Sequence, residues 1–185
     1  MPEQDHWTHH TSFVAPDVKI HYVLVKPTEA NGLSIVLIHG YPQTWYSFRN
    51  VMQPLADLGY NVIAVDYRGA GDSNHPAGGY DKMTMAKDIH TLYHDKLQID
   101  KAIVLGTDIG SMVAVSLALQ FEDDVLALIT GGQSRKNALS LFQADVRRSP
   151  NPRYKHVRRC VQRCQVVDTL PLWFPQLPRP TRGFD

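Results

Sequence analysis

Cysteine, long apolar runs and net charge are all scarce in this sequence. Two cysteines among 185 residues are too few for a disulfide scaffold. No segment approaches the roughly 18 uninterrupted apolar residues of a membrane span, and the opening residues, MPEQDHWTHH, lack the apolar core of a signal peptide. A net charge of +1, with 43% apolar and 20% charged residues, excludes disorder throughout the chain. We therefore expect a soluble, cytoplasmic, globular protein without a membrane span.

The balanced overall charge hides a change of composition near residue 132. Residues 1–134 hold 8 Lys and Arg against 15 Asp and Glu, a net of −7, whereas residues 135–185 hold 11 against 3, a net of +8. Both cysteines and half of the twelve prolines also lie in this last part. Such a shift marks a boundary. It predicts a core over residues 1–132 and a basic, proline-containing tail over 133–185 that is loosely helical or disordered.

The most informative stretch is residues 101–115, KAIVLGTDIGSMVAV. Its apolar start predicts a strand buried on both faces, because a strand with one wet face would alternate. Gly106 and Gly110 flank Asp108 at two residues on either side, so that strand and helix can approach closely while Asp108 takes a strained conformation. This pattern is typical of a nucleophile elbow, here with a carboxylate that can form an ester. Alternatively, Asp108 merely caps the following helix.

The rest of the core alternates between predicted strands and helices. An antiparallel hairpin over 7–14 and 18–25 is followed by parallel strands and helices, with Thr84 as a helix cap. Such alternation predicts an α/β fold with a mostly parallel sheet and helices on both faces. The predicted strands are 34–38, 61–65, 101–106 and 125–129, and the predicted helices are 45–58, kinked or restarted at Pro54, 84–97 and 109–121.

Three of these strands end in loops rich in Gly, His, Asp and Tyr, namely 39–42, 66–73 and 106–110. Ligands of open α/β sheets bind outside the carboxyl ends of the strands, so we expect these loops to converge on a site.

The motifs HGYP, GYNVIAVDYRGAGDS and GTDIGSMVA, each at the end of a predicted strand, together resemble the α/β-hydrolase superfamily. Within it, they are most similar to the epoxide hydrolases and related dehalogenases, which use aspartate as nucleophile. The resemblance covers about residues 12–130. It implies an incomplete α/β-hydrolase core that needs no cofactor and acts on a small molecule, an epoxide or a related electrophile.

The resemblance assigns roles to individual residues of the three loops. Asp108 is the expected nucleophile, and the backbone N–H groups of Tyr41 and Ile109 are the expected oxyanion hole, facing the oxygen where charge develops. His39 and Trp45 are candidate substrate-binding residues, although His39 can also order its loop and Trp45 can simply pack.

Two further features of these loops are expected from the resemblance. The Tyr41–Pro42 bond resembles the HGxP turn, in which a cis peptide is plausible. Asp66 and Arg68 are expected to form a structural network in their loop.

Some positions separate this chain from other aspartate-nucleophile relatives. Haloalkane dehalogenases tend to place Trp and Asn where this chain has Ile109 and Tyr41, so the halide donors are lost. Fluoroacetate dehalogenases carry arginines after the nucleophile, whereas Ser111 and Met112 are uncharged here. Thr107 replaces the His that is usual among epoxide hydrolases. An epoxide hydrolase-like assignment is what remains.

The family's cap, acid and base are not recognisable after Gly132. The family pattern requires cap tyrosines that donate protons, followed by an acid and a histidine that activates water. The only later histidine is His156, which precedes Asp168 instead of following an acid, and Tyr154 is the only tyrosine of the tail. We therefore expect a C-terminally truncated or divergent hydrolase that forms the ester of Asp108 but turns over negligibly.

The tail permits other interpretations, none of which we adopt. His156, Cys160 and Cys164 share one helical face, but no fourth metal ligand is evident, so no metal site is predicted. The arginines lack interleaved aromatic residues, so nucleic-acid binding is not expected.

The competing function is a non-catalytic hydrolase fragment that acts by protein or polyanion binding. If the strand over 125–129 has an open apolar edge, self-association through that edge is also expected.

Overall fold

A computed structural model describes residues 7–131, which form six strands and three α-helices. The strands are β1 (Trp7–Ala15), β2 (Val18–Val25), β3 (Ser34–Ile38), β4 (Asn61–Asp66), β5 (Ala102–Thr107) and β6 (Val125–Gly131). The helices are α1 (Arg49–Asp57), α2 (Lys82–His90) and α3 (Ile109–Gln120). A 3₁₀ turn precedes α1 (Trp45–Phe48), a π-helical segment continues α2 (Thr91–Lys96), and a second 3₁₀ turn follows α3 (Glu122–Asp124).

All six strands belong to one sheet, in the order β1-β2-β4-β3-β5-β6. β3, β4, β5 and β6 are parallel, whereas β1 and β2 form an antiparallel hairpin that continues antiparallel onto β4. This confirms the predicted α/β class, hairpin and mostly parallel sheet. Strand β5 lies inside the sheet, between β3 and β6, but the prediction that it is buried on both faces is wrong in detail, since Ile103 and Leu105 are only half-buried.

Side chains alternate along the strands and pack into two apolar cores, one on each face of the sheet. Helix α1 and the 3₁₀ turn before it pack on one face. Their residues Phe48, Met52 and Ala56 contact the buried side chains Val23, Val25, Ile35, Leu37, Val62 and Ala64. Helices α2 and α3 pack on the other face, where their apolar residues meet Ile20, Val36, Ile38, Ile63, Val65 and Val104. The strands β3 and β4 are therefore apolar at successive positions because both of their faces are covered.

The predicted cap of α2 was wrong, and one of the two alternatives predicted at Pro54 was not observed. Helix α2 begins two residues before Thr84, and its cap is Asp81, whose carboxylate accepts the Thr84 N–H at 2.9 Å. Asp81 immediately precedes the helix and has the extended backbone of an N-cap residue. Thr84 lies inside the first helical turn and therefore cannot be the cap. Helix α1 continues through Pro54 and does not restart there, and the alternative prediction of a kink at this residue stays a prediction. Proline lacks its own N–H and its ring crowds the preceding turn, but packing of Met52 and Ala56 retains the helix on either side.

In the part of the chain that the structure describes, β6 has β5 as its one strand neighbour, and Leu126 on it is exposed. Self-association through β6 stays a prediction. No helix within residues 7–131 has the length and apolar character needed to cross a membrane. The predicted tail, with His156, Cys160 and Cys164, lies outside the described residues.

Candidate active site

The loops that follow β3, β4 and β5 meet at the carboxyl ends of these parallel strands. In the register of the sheet, Ile38 pairs with both Val65 and Gly106, so the three strands end together. Gly110 at the start of α3 sits so close to β3 that a Cβ atom there would overlap the carbonyl oxygen of Ile38. A Cβ on Gly106 would likewise overlap the carbonyl of Gly110. Only glycine at both positions allows α3 to begin directly against the sheet.

Asp108 lies at the tip of the turn between β5 and α3. Its φ of 50° and ψ of −119° are a strained combination for a residue with a side chain. Its backbone N–H donates to the carbonyl of Gly131 at 3.0 Å, and its own carbonyl accepts from Ser111 at 3.0 Å, so the turn is held from both sides. The side chain makes no capping hydrogen bond with α3, which disfavours the helix-cap interpretation. The turn has the geometry expected of a nucleophile elbow.

The Asp108 carboxylate faces the loop that carries Tyr41. The backbone N–H of Tyr41 donates to Oδ2 of Asp108 at 3.0 Å, across 67 residues of sequence. Gly40 permits this approach, since a Cβ there would lie 2.7 Å from the Cβ of Asp108. The Tyr41 side chain is 74% exposed, and the Tyr41–Pro42 peptide is cis, as predicted. Only the main chain of Tyr41 therefore takes part in this contact.

Ile109 is the first residue of α3, immediately after Asp108. Its N–H is one of the first four of the helix and has no intrahelical acceptor. The helix dipole adds positive potential at this end. The predicted pair of main-chain donors, Tyr41 and Ile109, thus lies on the two chain segments that adjoin Asp108.

His39 is completely buried beneath the same loop. Its Nδ1–H donates to the carbonyl of Gly40 at 2.8 Å, and its ring stacks on that of Tyr67 with centroids 4.2 Å apart. Burial lowers the pKa of His39 in spite of the opposing effects of Gly40 and the Asp66 charge. A neutral, buried imidazole that bonds its own loop is placed to order the backbone of that loop, and its predicted part in substrate binding has no support from these contacts.

Asp66, at the end of β4, is the hub of a buried hydrogen-bond network. Its Oδ1 accepts the Trp45 N–H at 2.7 Å, and its Oδ2 accepts from His21 Nδ1 at 2.8 Å and from the Asp72 N–H at 3.2 Å. His39 Nε2 lies 3.5 Å from its Oδ1. These bonds tie the segments that follow β3 and β4 to strand β2, in agreement with the predicted structural role.

Arg68 forms a second structural pair in the same loop. Its guanidinium donates to both carboxylate oxygens of Asp88 at 2.6 and 2.7 Å. This bond raises the pKa of Arg68 further above its already high ordinary value. The pair fixes the loop after β4 onto helix α2.

The half-buried ring of Trp45 packs away from the elbow. It meets Trp7 edge-on at 5.9 Å and His9 at 5.0 Å between ring centroids, both on β1. Strand β1 is separated from β5 by three other strands. These contacts are those of a packing residue, and its predicted role in substrate binding stays a prediction without a contact to support it.

Sequence reasoning missed two residues near Asp108. The Tyr67 hydroxyl lies 3.5 Å from the carbonyl of Gly40, and the pKa of Tyr67 is raised by burial and by the charges of Asp108 and Asp66. The buried Ser111 hydroxyl lies 2.7 Å from the carbonyl of Gly106 and 3.0 Å from that of Gly131. Tyr67 lies in the second motif of the sequence and Ser111 in the third, and these positions were the only sequence signal that could have identified them.

Two clusters of potential metal-ligating side chains occur in residues 7–131, and neither contains Asp108. One comprises His21, Asp66 and Asp72, but both carboxylate oxygens of Asp66 already accept hydrogen bonds. The other, which consists of His90, His94 and Asp124, lies elsewhere in the fold.

Comparison with known proteins agrees with this geometry. The sequence model of the alpha/beta hydrolase fold matches residues 34–159, past the boundary predicted at 132, which stays a prediction. The chain is 43% identical over 116 residues to the soluble epoxide hydrolase of Corynebacterium sp. (strain C12), and 31% identical over 123 residues to the bifunctional epoxide hydrolase 2 of Sus scrofa. These alignments cover 63% and 65% of this chain, but only 38% and 21% of the relatives.

A similar solved structure is also that of an epoxide hydrolase. The unliganded epoxide hydrolase CorEH superposes with a TM-score of 0.61 and 36% identity, covering 76% of this chain and 50% of that one. The family match spans more than half of the sequence, and the cis Tyr41–Pro42 turn expected from the resemblance is present. This chain therefore belongs to the alpha/beta hydrolase fold family, as an epoxide hydrolase-like member.

Proposed function

We propose that this chain carries the nucleophile of an epoxide hydrolase, with Asp108 attacking a ring carbon of an epoxide. Oδ1 of Asp108 forms the new C–O bond while the C–O bond of the ring breaks, and the ring oxygen leaves as an alkoxide that takes up a proton. Oδ2 then becomes the carbonyl oxygen of the ester. Water attacks the ester carbon in the second step and releases a diol and the free carboxylate.

The contact between the Tyr41 N–H and Oδ2 of Asp108, at 3.0 Å, is the observation that carries this proposal. It orients the carboxylate so that one oxygen is held by a main-chain donor and the other is the attacking atom. When water adds to the ester, negative charge develops on the held oxygen, where a preorganised donor stabilises it most. The N–H of Ile109, at the start of α3, supplies the second donor.

The described residues offer the second step no evident base. His39 is buried, and its Nδ1–H is bound to the carbonyl of Gly40. In the sequence, His156 is the only histidine after Asp108. Loss of general-base catalysis slows a reaction by about 10²- to 10⁴-fold. We therefore infer that this 185-residue chain forms the ester faster than it hydrolyses it.

Mass spectrometry of the protein after incubation with styrene oxide tests the proposal. The expected result is a mass increase of one epoxide per chain, mapped to the peptide that contains Asp108. The Asp108→Asn variant should show no adduct, because the amide is not a nucleophile. The Asp72→Asn variant is the matched control and should react like the wild type, since that carboxylate is 76% exposed and belongs to the neighbouring loop.

The outcomes separate the proposal from its alternative. Diol formation in H₂¹⁸O that places the label in the Asp108 carboxylate would support the ester route but contradict the slow second step. An adduct that persists in the Asp108→Asn variant would refute the role of Asp108. Neither adduct nor diol with a panel of terminal and internal epoxides would favour the non-catalytic interpretation, in which the chain acts through protein or polyanion binding.

A further inference from the structure

Two histidines and an aspartate lie close together at the end of the sheet opposite the elbow. His90 ends α2, His94 lies one turn later in the π-helical segment, and Asp124 immediately precedes β6. The first residue of β6 pairs with Ala102, the first residue of β5, so this cluster lies at the amino ends of the strands. Asp108 follows the carboxyl end of β5. The cluster is therefore separate from the proposed active site.

The three side chains are already close enough to share a ligand. One potential ligand atom from each of them lies within 4.8 Å of the other two. His90 Nε2 donates to Asp124 Oδ2 at 2.8 Å, and the rings of His90 and His94 stack with centroids 4.8 Å apart. His90 is only 8% exposed, and the ring of Phe121 lies against it at 3.6 Å, which restricts its rotation. One ligand is therefore fixed by packing, while His94 on the surface can adjust.

Asp95 places a further carboxylate beside the ring nitrogen of His94 that would not bind the metal. His94 Nδ1 lies 2.8 Å from Oδ1 of Asp95, which favours a proton on Nδ1 and leaves Nε2 as the atom with a lone pair. Metal-ligating histidines usually donate their second N–H to such a partner, which fixes the tautomer and makes the ligand more basic. Asp95 and Asp124 therefore place two carboxylates beside the two imidazoles.

We propose that His90, His94 and Asp124 bind a divalent transition-metal ion of the zinc type. Two imidazoles and one carboxylate form a ligand set that suits Zn²⁺ and is poorly suited to Ca²⁺ or Mg²⁺, which prefer oxygen. Three protein ligands leave a fourth position for water. To bind the ion through Nε2, the neutral His90 ring adopts the tautomer with its proton on Nδ1, and bonds from Nε2 and Oδ2 to the metal replace the hydrogen bond between His90 and Asp124. The ion would join the end of α2 to the turn before β6 and so clamp two elements that are distant in sequence.

The test is a titration of the full chain carrying Cys160→Ser and Cys164→Ser, which removes both thiols of the sequence as competing ligands. Zn²⁺ binding is measured by calorimetry, and Co²⁺ serves as a spectroscopic probe of a tetrahedral site without sulfur. We expect one ion per chain. His94→Ala should weaken binding at least about 100-fold, and Asp95→Asn about 10- to 100-fold, as for loss of an outer carboxylate. His75→Ala, at an exposed histidine of another loop, should leave the affinity unchanged.

Thermal unfolding gives an independent readout. At free Zn²⁺ about 100 times the dissociation constant, Tm should rise by about 5 to 10 °C, and His94→Ala should abolish this rise. If His94→Ala itself impairs folding, Asp95→Asn still tests the proposal, because Asp95 is exposed. Absence of saturable binding, or binding that neither variant weakens, would overturn the proposal and leave the cluster as a structural hydrogen bond.

Discussion

Asp66 and Asp108 stand at the ends of β4 and β5, on either side of β3, yet their surroundings differ in every respect. Asp66 is 0% exposed, and its oxygens accept three hydrogen bonds, from Trp45, His21 and Asp72. Asp108 is half-buried, and its backbone is strained at φ 50°. A carboxylate surrounded by donors in a dry interior stabilises the fold, whereas a residue held in a strained turn is typical of functional sites.

In the loop after β4, the carboxylate of Asp66 holds the structure together, whereas the carboxylate of Asp108 meets the Tyr41 N–H beside the proposed site. Substitutions in both loops, ordered by their expected effect on the free energy of unfolding, show whether this difference is real.

Asp66→Asn should have the largest effect, a loss of about 3 kcal/mol or more in the free energy of unfolding. The amide keeps one acceptor oxygen and turns its NH₂ group towards N–H donors. Either the Trp45 N–H loses its acceptor, or His21 Nδ1–H and the Asp72 N–H both lose theirs. Urea denaturation measures the change. Asp72→Asn, with a 76% exposed carboxylate, is the control and should change stability by less than about 0.5 kcal/mol. Equal effects of the two variants would contradict the structural role of Asp66.

Ser111→Ala should cost about 1 to 2 kcal/mol of unfolding free energy, because the carbonyls of Gly106 and Gly131 lose a buried donor. Since these carbonyls flank the elbow, the rate of adduct formation at Asp108 should fall as well. Urea denaturation and adduct kinetics, measured on the same samples, check both effects. An unchanged adduct rate in a destabilised variant would mean that the elbow keeps its shape without this hydroxyl.

His39 should make stability depend on pH. Its pKa in the folded protein lies below its ordinary value of 6.5, so the unfolded chain binds more protons as the pH falls below about 6.5. Stability is therefore present above this pH and lost below it, with a slope of at most about 1.4 kcal/mol per pH unit. His39→Gln should remove this component of the slope, and His75→Gln should not. A slope that survives His39→Gln would assign it to other groups.

Asp108→Asn should have the smallest effect on stability, less than about 1 kcal/mol, while abolishing the adduct altogether. Asn, like Asp, is enriched among non-glycine residues with positive φ, so we expect the turn to be retained. Urea denaturation and mass spectrometry of the same preparation measure the change in unfolding free energy and the amount of adduct. A loss of stability as large as that of Asp66→Asn would place Asp108 among the structural carboxylates and remove the contrast on which the proposed function depends.

Much of the fold was accessible from the sequence because its signals are local. The apolar runs of β3, β4 and β6, the hairpin and the elbow glycines were identified at or near their observed positions. Errors arose where several local signals competed. Thr84 and Asp81 both resemble caps, and only the observed backbone at Asp81 decides between them.

The candidate site was only partly accessible. The position of Asp108 follows from its flanking glycines, but the packing role of Trp45 depends on Trp7 and His9 across the sheet. The spacing of His90 and His94 is a signal that the sequence contained and that went unused, because the third member, Asp124, is 34 residues from His90. Without the fold, two histidines one helical turn apart have no third partner.

The sequence by itself determined which residues end the strands, where the chain must turn sharply, and which family it belongs to, since steric limits on glycine and the burial of apolar runs act over a few neighbours. The tertiary structure alone decided which aspartate is saturated with hydrogen bonds and which meets the Tyr41 N–H, 67 residues away. Those outcomes depend on how strands distant in sequence lie side by side, because hydrogen bonds form between groups that are close in space, whatever their separation along the chain.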